Sequence, residues 1–141
     1  MISDHQLKIK TDILTNKLNA GLFDEVITEA KVLLQKRGHQ IVYNILSIAY
    51  QSLGKYDFSV KIMEEALKKN PKNPYFLNNM GISKHKLEDY EEAESYFKKG
   101  LDIAPNYVNI LYDIANLKKD INLRDEAIGF YEKSLQINEN L

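Results

Sequence analysis

Apolar and polar positions follow helical spacing along most of the chain. Ile9, Ile13 and Leu14 share one face of a helix, as do Val42, Tyr43, Leu46, Ala49 and Leu53. The pattern predicts eight helices, over 4–19, 23–37, 40–53, 56–69, 74–87, 90–103, 107–120 and 124–138. Local signals agree with these bounds. Ser3 followed by Gln6 reads as a capping box, and Asn73 precedes Pro74, whose fixed φ suits a first helical turn. Gly21, Gly38 and Gly54 stand where helices are expected to end. In the even-numbered helices acidic residues come first and lysines last, as the helix dipole favours: Asp57, Glu64 and Glu65 precede Lys68 and Lys69. The acidic run Glu88, Asp89, Glu91, Glu92 and Glu94 fits a solvated helix start better than a cation site.

The helices come in pairs that repeat. Gly21-Leu-Phe-Asp-Glu-Val-Ile, Gly54-Lys-Tyr-Asp-Phe-Ser-Val, Glu88-Asp-Tyr-Glu-Glu-Ala-Glu and Asn122-Leu-Arg-Asp-Glu-Ala-Ile align at spacings of 33, 34 and 34. Leu34, Leu67, Leu101 and Leu135 recur in one register, and Pro71 and Pro105 lie 34 apart. Four repeats result, at 7–39, 40–73, 74–107 and 108–141.

A helix–turn–helix period of this length resembles the tetratricopeptide repeat (TPR) family. Signature positions recur with it. The eighth position, usually small, holds Leu14, Ser47, Gly81 and Ala115; the twentieth, also usually small, holds Val26, Ser59, Ala93 and Ala127. The bulky twenty-fourth position is Met63, Phe97 and Tyr131, and the small twenty-seventh is Ala66, Gly100 and Ser134, in the last three repeats. The first repeat departs, with Leu14, Val26 and Leu33 at small positions and Ala30 at the bulky one, so its helices are expected to cross at a different angle. Arg124 replaces the aromatic seen as Phe23, Tyr56 and Tyr90. The resemblance implies an all-α fold: an α-solenoid of four such units, eight antiparallel helices in a right-handed superhelical arc, with first helices lining the concave side.

Composition narrows the function. Hydrophobic residues at 44% and charged residues at 28% suit a folded chain rather than a disordered one. Nineteen basic and 20 acidic residues give a net charge of −1, against a dedicated nucleic-acid binder. With no cysteine there is no disulfide, thiolate metal site or cysteine nucleophile. The most apolar stretch, Ile41 to Tyr50, contains Asn44 and Ser47 and is too short to span a bilayer. Residues 1–20 carry no signal-peptide core, so a cytoplasmic protein is expected. His5, His39 and His85 lie in different repeats, without a second histidine at ligand spacing, and read as isolated surface residues. No glycine-rich phosphate loop or nucleophile elbow occurs. A non-catalytic interaction module, without cofactor or metal, is the expectation.

The resemblance places the functional face on the first helices. Asn44, Ile48, Tyr75, Asn78, Asn79, Ile82, Asn109, Tyr112 and Asn116 are its candidate peptide-binding residues. Asparagine offers donors and an acceptor that match an extended peptide backbone, while the isoleucines and tyrosines can pack side chains. A clamp for the C-terminal carboxylate of Hsp70 or Hsp90 is not expected. In the last three repeats the corresponding positions hold Asn44, Ile48, Asn79, Asn109 and Asp113, where the clamp uses Lys, Asn and Arg. Ile128, Tyr131 and Leu135 on the last helix form a second candidate, an uncovered docking face for downstream sequence or a second copy. Two alternatives follow: the substrate-recruiting N-terminal part of a larger enzyme of glycosyl- or sulfotransferase type, or a self-assembling scaffold. No residue names the partner.

Overall fold

The computed structural model describes residues 1–139; the last two residues expected in the fourth repeat lie outside them. Eight α-helices and no strand occur among the described residues: α1 (Asp4–Asn19), α2 (Phe23–Lys36), α3 (Gln40–Ser52), α4 (Tyr56–Lys69), α5 (Pro74–Lys86), α6 (Tyr90–Ile103), α7 (Val108–Asp120) and α8 (Arg124–Glu139). This is an all-α helical repeat fold, and each bound lies within one residue of the sequence expectation. The chain forms two compact halves, Met1–Pro71 and the part from Lys72 onward.

In the first half, α1 opens on the expected capping box. The Ser3 hydroxyl accepts from the Gln6 amide at 3.1 Å, and the Gln6 side chain accepts from the Ser3 amide at 3.0 Å. Arg37 anchors the same end: its guanidinium donates to the Ile2 carbonyl at 3.2 Å and to the Asp4 carboxylate at 2.5 Å. The core gathers Leu7, Leu14, Val26, Ala30 and Leu33 from α1 and α2 with Val42, Ile45, Leu46, Ala49 and Tyr50 from α3. Ala30 and Leu33 are both buried, so the exchange of small and bulky positions conserves volume inside one core. Between α3 and α4 the two small positions meet directly, with the hydroxyls of Ser47 and Ser59 bonded at 2.7 Å in the interior. Buried hydroxyls satisfy each other there at no volume penalty.

In the second half, Asn73 caps α5, its side-chain oxygen accepting from the amides of Tyr75 and Phe76 at 2.9 and 3.2 Å. Ala93, Phe97, Ile110, Ile114 and Leu117 form a core to which Ile82, Tyr90 and Leu101 add partly buried surface. Here the small positions have a steric reason. A Cβ on Gly81 would stand 2.4 Å from the Phe97 ring, and one on Gly100 would stand 2.5 Å from Ile110 Cδ1. The bulky residue of the repeat thus fills the space its small partner leaves.

The turn inside each repeat uses one backbone device. Gly21, Gly54, Glu88 and Asn122, which align in sequence, all have left-handed φ, at +79°, +72°, +64° and +65°. Glycine takes this conformation freely and asparagine tolerates it, but glutamate does not. Gly38 plays no such part: α2 ends at Arg37 in extended conformation, φ −156° and ψ 109°.

Candidate peptide-binding face

On α3, Asn44 and Ile48 stand one turn apart, both half-buried. Asn44 also has a partner within the chain. Nearby, the His39 ring is not an isolated surface group: its Nδ1 accepts from the Ile41 amide at 3.2 Å and caps the helix.

The remaining candidates lie on α5 and α7 of the second half. Tyr75, Asn78, Asn79 and Ile82 fall along α5; Asn109, Tyr112 and Asn116 fall along one face of α7. Tyr75 and Tyr112 are the open ones, 55% and 53% exposed. Asn78 and Asn79 are buried at 6% each, and Asn79 is engaged within the chain. Ile82 is half-buried and packs against the core of the second half. Asn109 is exposed. Asn116 accepts a short hydrogen bond from the Tyr131 hydroxyl.

The two helices are joined across this face. Asn78 on α5 and Asp113 on α7 lie close enough for the Asn78 side chain to act on the Asp113 carboxyl. Burial pushes the Asp113 carboxyl up to about 6, while the Asn78 side chain and the positive charge of Lys86 act in the opposite direction. Tyr107, one residue before α7, packs its ring edge-on against Tyr75 with centroids 5.3 Å apart. Its phenol lies above the usual range, first through burial and then through the charges of Tyr75 and Asp113, against a hydrogen bond from Asn109. Farther along, His85 Nε2 meets Asp120 at 2.8 Å and its ring lies edge-on to Tyr90. His85 is therefore paired, contrary to the reading of three isolated histidines.

Sequence reasoning named Asp113 as a position that does not fit a carboxylate clamp, and it passed over Tyr107. On α8, Ile128 and Leu135 are exposed, whereas Tyr131 is half-buried and edge-on to Tyr112 at 5.6 Å. The acidic run is partly paired rather than simply solvated. Lys84 binds Glu92 at 2.7 Å, and Lys118, itself buried, binds Glu94 at 2.5 Å. No helix among the described residues is long and apolar enough to cross a membrane.

A face built from the first helices of paired repeats, over a core of matched small and bulky positions, defines a helical repeat protein. Residues 75–140 and, separately, residues 41–73 match the tetratricopeptide repeat family, and the chain belongs to it. A TPR repeat-containing protein of Methanocaldococcus jannaschii is 30% identical over 125 residues, 85% of this chain and 21% of that relative. The peroxisomal targeting signal receptor of Saccharomyces cerevisiae is 26% identical over 94 residues, 67% of this chain and 15% of the receptor. The chain thus spans about a fifth of the first relative's length and less of the second. Among solved structures, a thermophilic TPR protein of Thermus thermophilus superposes with a TM-score of 0.85 at 22% identity, over 90% of this chain and 71% of that one. A MamA protein superposes at 0.75 with 18% identity, over 94% of this chain and 73% of its own. Repeats of this family form a protein–protein interaction module in general, because stacked units present extended surfaces.

Proposed function

We propose that the chain is a non-catalytic protein–protein interaction module that holds an extended peptide segment of a partner on its first helices, chiefly along α5 and α7. One observation carries the reading: two large aromatic side chains, Tyr75 on α5 and Tyr112 on α7, stand open to solvent. Large aromatic side chains left in solvent beside polar groups are typical of recognition surfaces. Asn109 and Asn116 extend the polar edge along α7, and on α3 Asn44 and Ile48 repeat the same mixture of amide and aliphatic groups. The naming of one relative as a targeting signal receptor supports a receptor role. A Hsp70 or Hsp90 carboxylate clamp finds no support, since Asp113 occupies one of its positions.

The test is affinity capture with the intact chain and with a Tyr75→Ser, Tyr112→Ser variant. Both positions are exposed, so the variant should melt like the parent. Loss of the captured partners supports the face; an unchanged partner set counts against it. The exposure of Ile128 and Leu135 favours a second, compatible reading, self-association through α8. Light scattering that gives a monomer at every concentration removes it.

A further inference from the structure

Each half of the chain contains a junction between successive repeats, α2 with α3 in the first and α6 with α7 in the second, and the same positions make both. The first helix of the later repeat contributes two apolar residues one turn apart. These are Val42 and Leu46 on α3, and Ile110 and Ile114 on α7, all fully buried. The second helix of the earlier repeat contributes two residues two turns apart. On α2 these are Ile27 and Leu34, half-buried against the core that α3 completes. On α6 Leu101 packs in the same way, and Glu94 takes the other position, where Lys118 of α7 binds it at 2.5 Å. Contacts of this kind between neighbouring units hold a repeat array together.

The same positions recur on α1 and α8, open to solvent. Ile9 and Ile13 of α1 align with Ile110 and Ile114 of α7, yet they are 46% and 47% exposed. Ile128 and Leu135 of α8 align with Ile27 and Leu34 of α2, yet they are 52% and 59% exposed. Helix α1 thus carries what a first helix presents to the repeat before it, and α8 carries what a second helix presents to the repeat after it. These are the two complementary sides of one interface. The polar neighbours do not oppose its closure. Lys17 of α1 aligns with Lys118 but is already bound to Glu29 at 2.7 Å, and the carboxylate that Lys118 meets is replaced on α8 by Ile128. Ser134, which aligns with Gly100, donates its hydroxyl to the Tyr131 carbonyl of its own helix at 2.8 Å. One position is poorer: Asn16 of α1 stands where α7 has the buried Leu117. The contact therefore buries less apolar surface than the internal junctions and is weaker than they are.

We propose that α1 of one copy of this chain packs on α8 of a second copy, in the register in which α7 packs on α6. The assignment rests on the self-association through α8 put forward above and names the surface that α8 meets. Because the contact joins two different faces, a pair of copies keeps one free α1 and one free α8. Copies therefore add one to the next unless the series closes on itself.

The experiment uses the intact chain and two single variants, Ile13→Glu on α1 and Leu135→Glu on α8. Both residues are exposed, so each variant should melt like the parent. Ile9→Glu and Ile128→Glu repeat the test at the partner positions, so it does not hang on the folding of one variant. Light scattering over about 10 μM to about 1 mM reads the mean mass. The mass of the parent should rise with concentration. A carboxylate inside the contact should weaken it about a hundredfold or more, leaving each variant alone a monomer. An equimolar mixture of the two should recover mass and stop at a dimer, because the first variant keeps its α8 and the second its α1. Assembly by Ile13→Glu alone would show that α8 meets another surface, overturning the α1 assignment while self-association through α8 stands. Two monomeric variants whose mixture stays monomeric would likewise overturn the pairing of α1 with α8. Assembly by Leu135→Glu alone, or a parent that is a monomer at every concentration, would overturn both.

Discussion

Gly81 and Gly129 both lie inside helices, in α5 and α8, and replacing each by alanine separates the backbone contribution from the packing one. At Gly129 an added Cβ meets nothing within 4 Å. Only helix propensity acts there, and Gly→Ala is favourable by roughly 0.8–1.0 kcal/mol. At Gly81 the new carbon would stand 2.4, 2.5 and 2.8 Å from three ring atoms of Phe97. Phe97 is fully buried, so its ring has no solvent side into which to turn. Carbon pairs prefer roughly 3.5–4.0 Å, and overpacking of a core typically costs about 1–3 kcal/mol. Three contacts on one enclosed ring place Gly81→Ala at the upper end of that range. After the propensity gain of about 1 kcal/mol, a net loss of about 2 kcal/mol remains. At about 3 °C per kcal/mol for a chain of this size, Gly129→Ala should raise Tm by about 3 °C and Gly81→Ala should lower it by about 6 °C. Thermal melts followed by circular dichroism read both. Gly100→Ala should fall between them, because the atom it meets is the terminal methyl of Ile110 at 2.5 Å, which can rotate. A Gly81→Ala variant as stable as Gly129→Ala would refute the claim that the Phe97 ring dictates the small residue.

Three further substitutions probe the turns and the charges. Glu88→Gly removes a left-handed glutamate, φ +64°; relief of about 1–2 kcal/mol less the unfolded-state entropy of glycine, about 0.4–1 kcal/mol, leaves a net gain of about 0.5–1 kcal/mol, read as a higher urea midpoint, and a lower midpoint would contradict the strain. Asp113 has its carboxyl raised from 3.8 to about 6 in the folded chain, so the folded state holds the proton more tightly and stability falls as pH rises between those values. Asp113→Asn should remove that dependence and be more stable at neutral pH by about 1–2 kcal/mol, allowing for partial solvent screening; parallel melts of both proteins at pH near 4 and near 7 decide it. Glu94 lies below the usual carboxylate range, held there first by the hydrogen bond from Lys118. Its contribution is present above 4.5 and lost as pH falls through the lowered value, so Glu94→Gln should cost about 1 kcal/mol near neutrality and little in acid. An equal cost at both pH values would show that the ion pair is not the source.

The repeat frame was readable because its causes are local or periodic. Caps at Ser3 and Asn73 and the apolar spacing placed the helices, and alignment at one period marked Ser47, Gly81 and Gly100 as small before their contacts with Ser59, Phe97 and Ile110 were known. The same alignment held an unread signal: Glu88 and Asn122 stand where Gly21 and Gly54 do, which already implied the left-handed turn. The face was less legible. Whether Asn78 lies open or buried, and that it acts on Asp113, depends on side-chain placement between helices 35 residues apart in sequence. His85 and Asp120, also 35 apart, met for the same reason. No periodic pattern separates an amide that lines a groove from one that braces it.

That division has a physical consequence for specificity. The residues that set helix packing, among them Gly81, Phe97 and Ala115, are fully withdrawn from solvent, whereas Tyr75, Asn109 and Tyr112 lie open on the first helices. Exposed positions change at little folding cost, so the face can take on a new ligand preference while the frame stays intact. Asp113 departs from this separation. It is half-buried, and its raised carboxyl shows that its charge opposes folding. A neutral residue would serve the frame better, and groups that burden stability are those most often kept for what they bind.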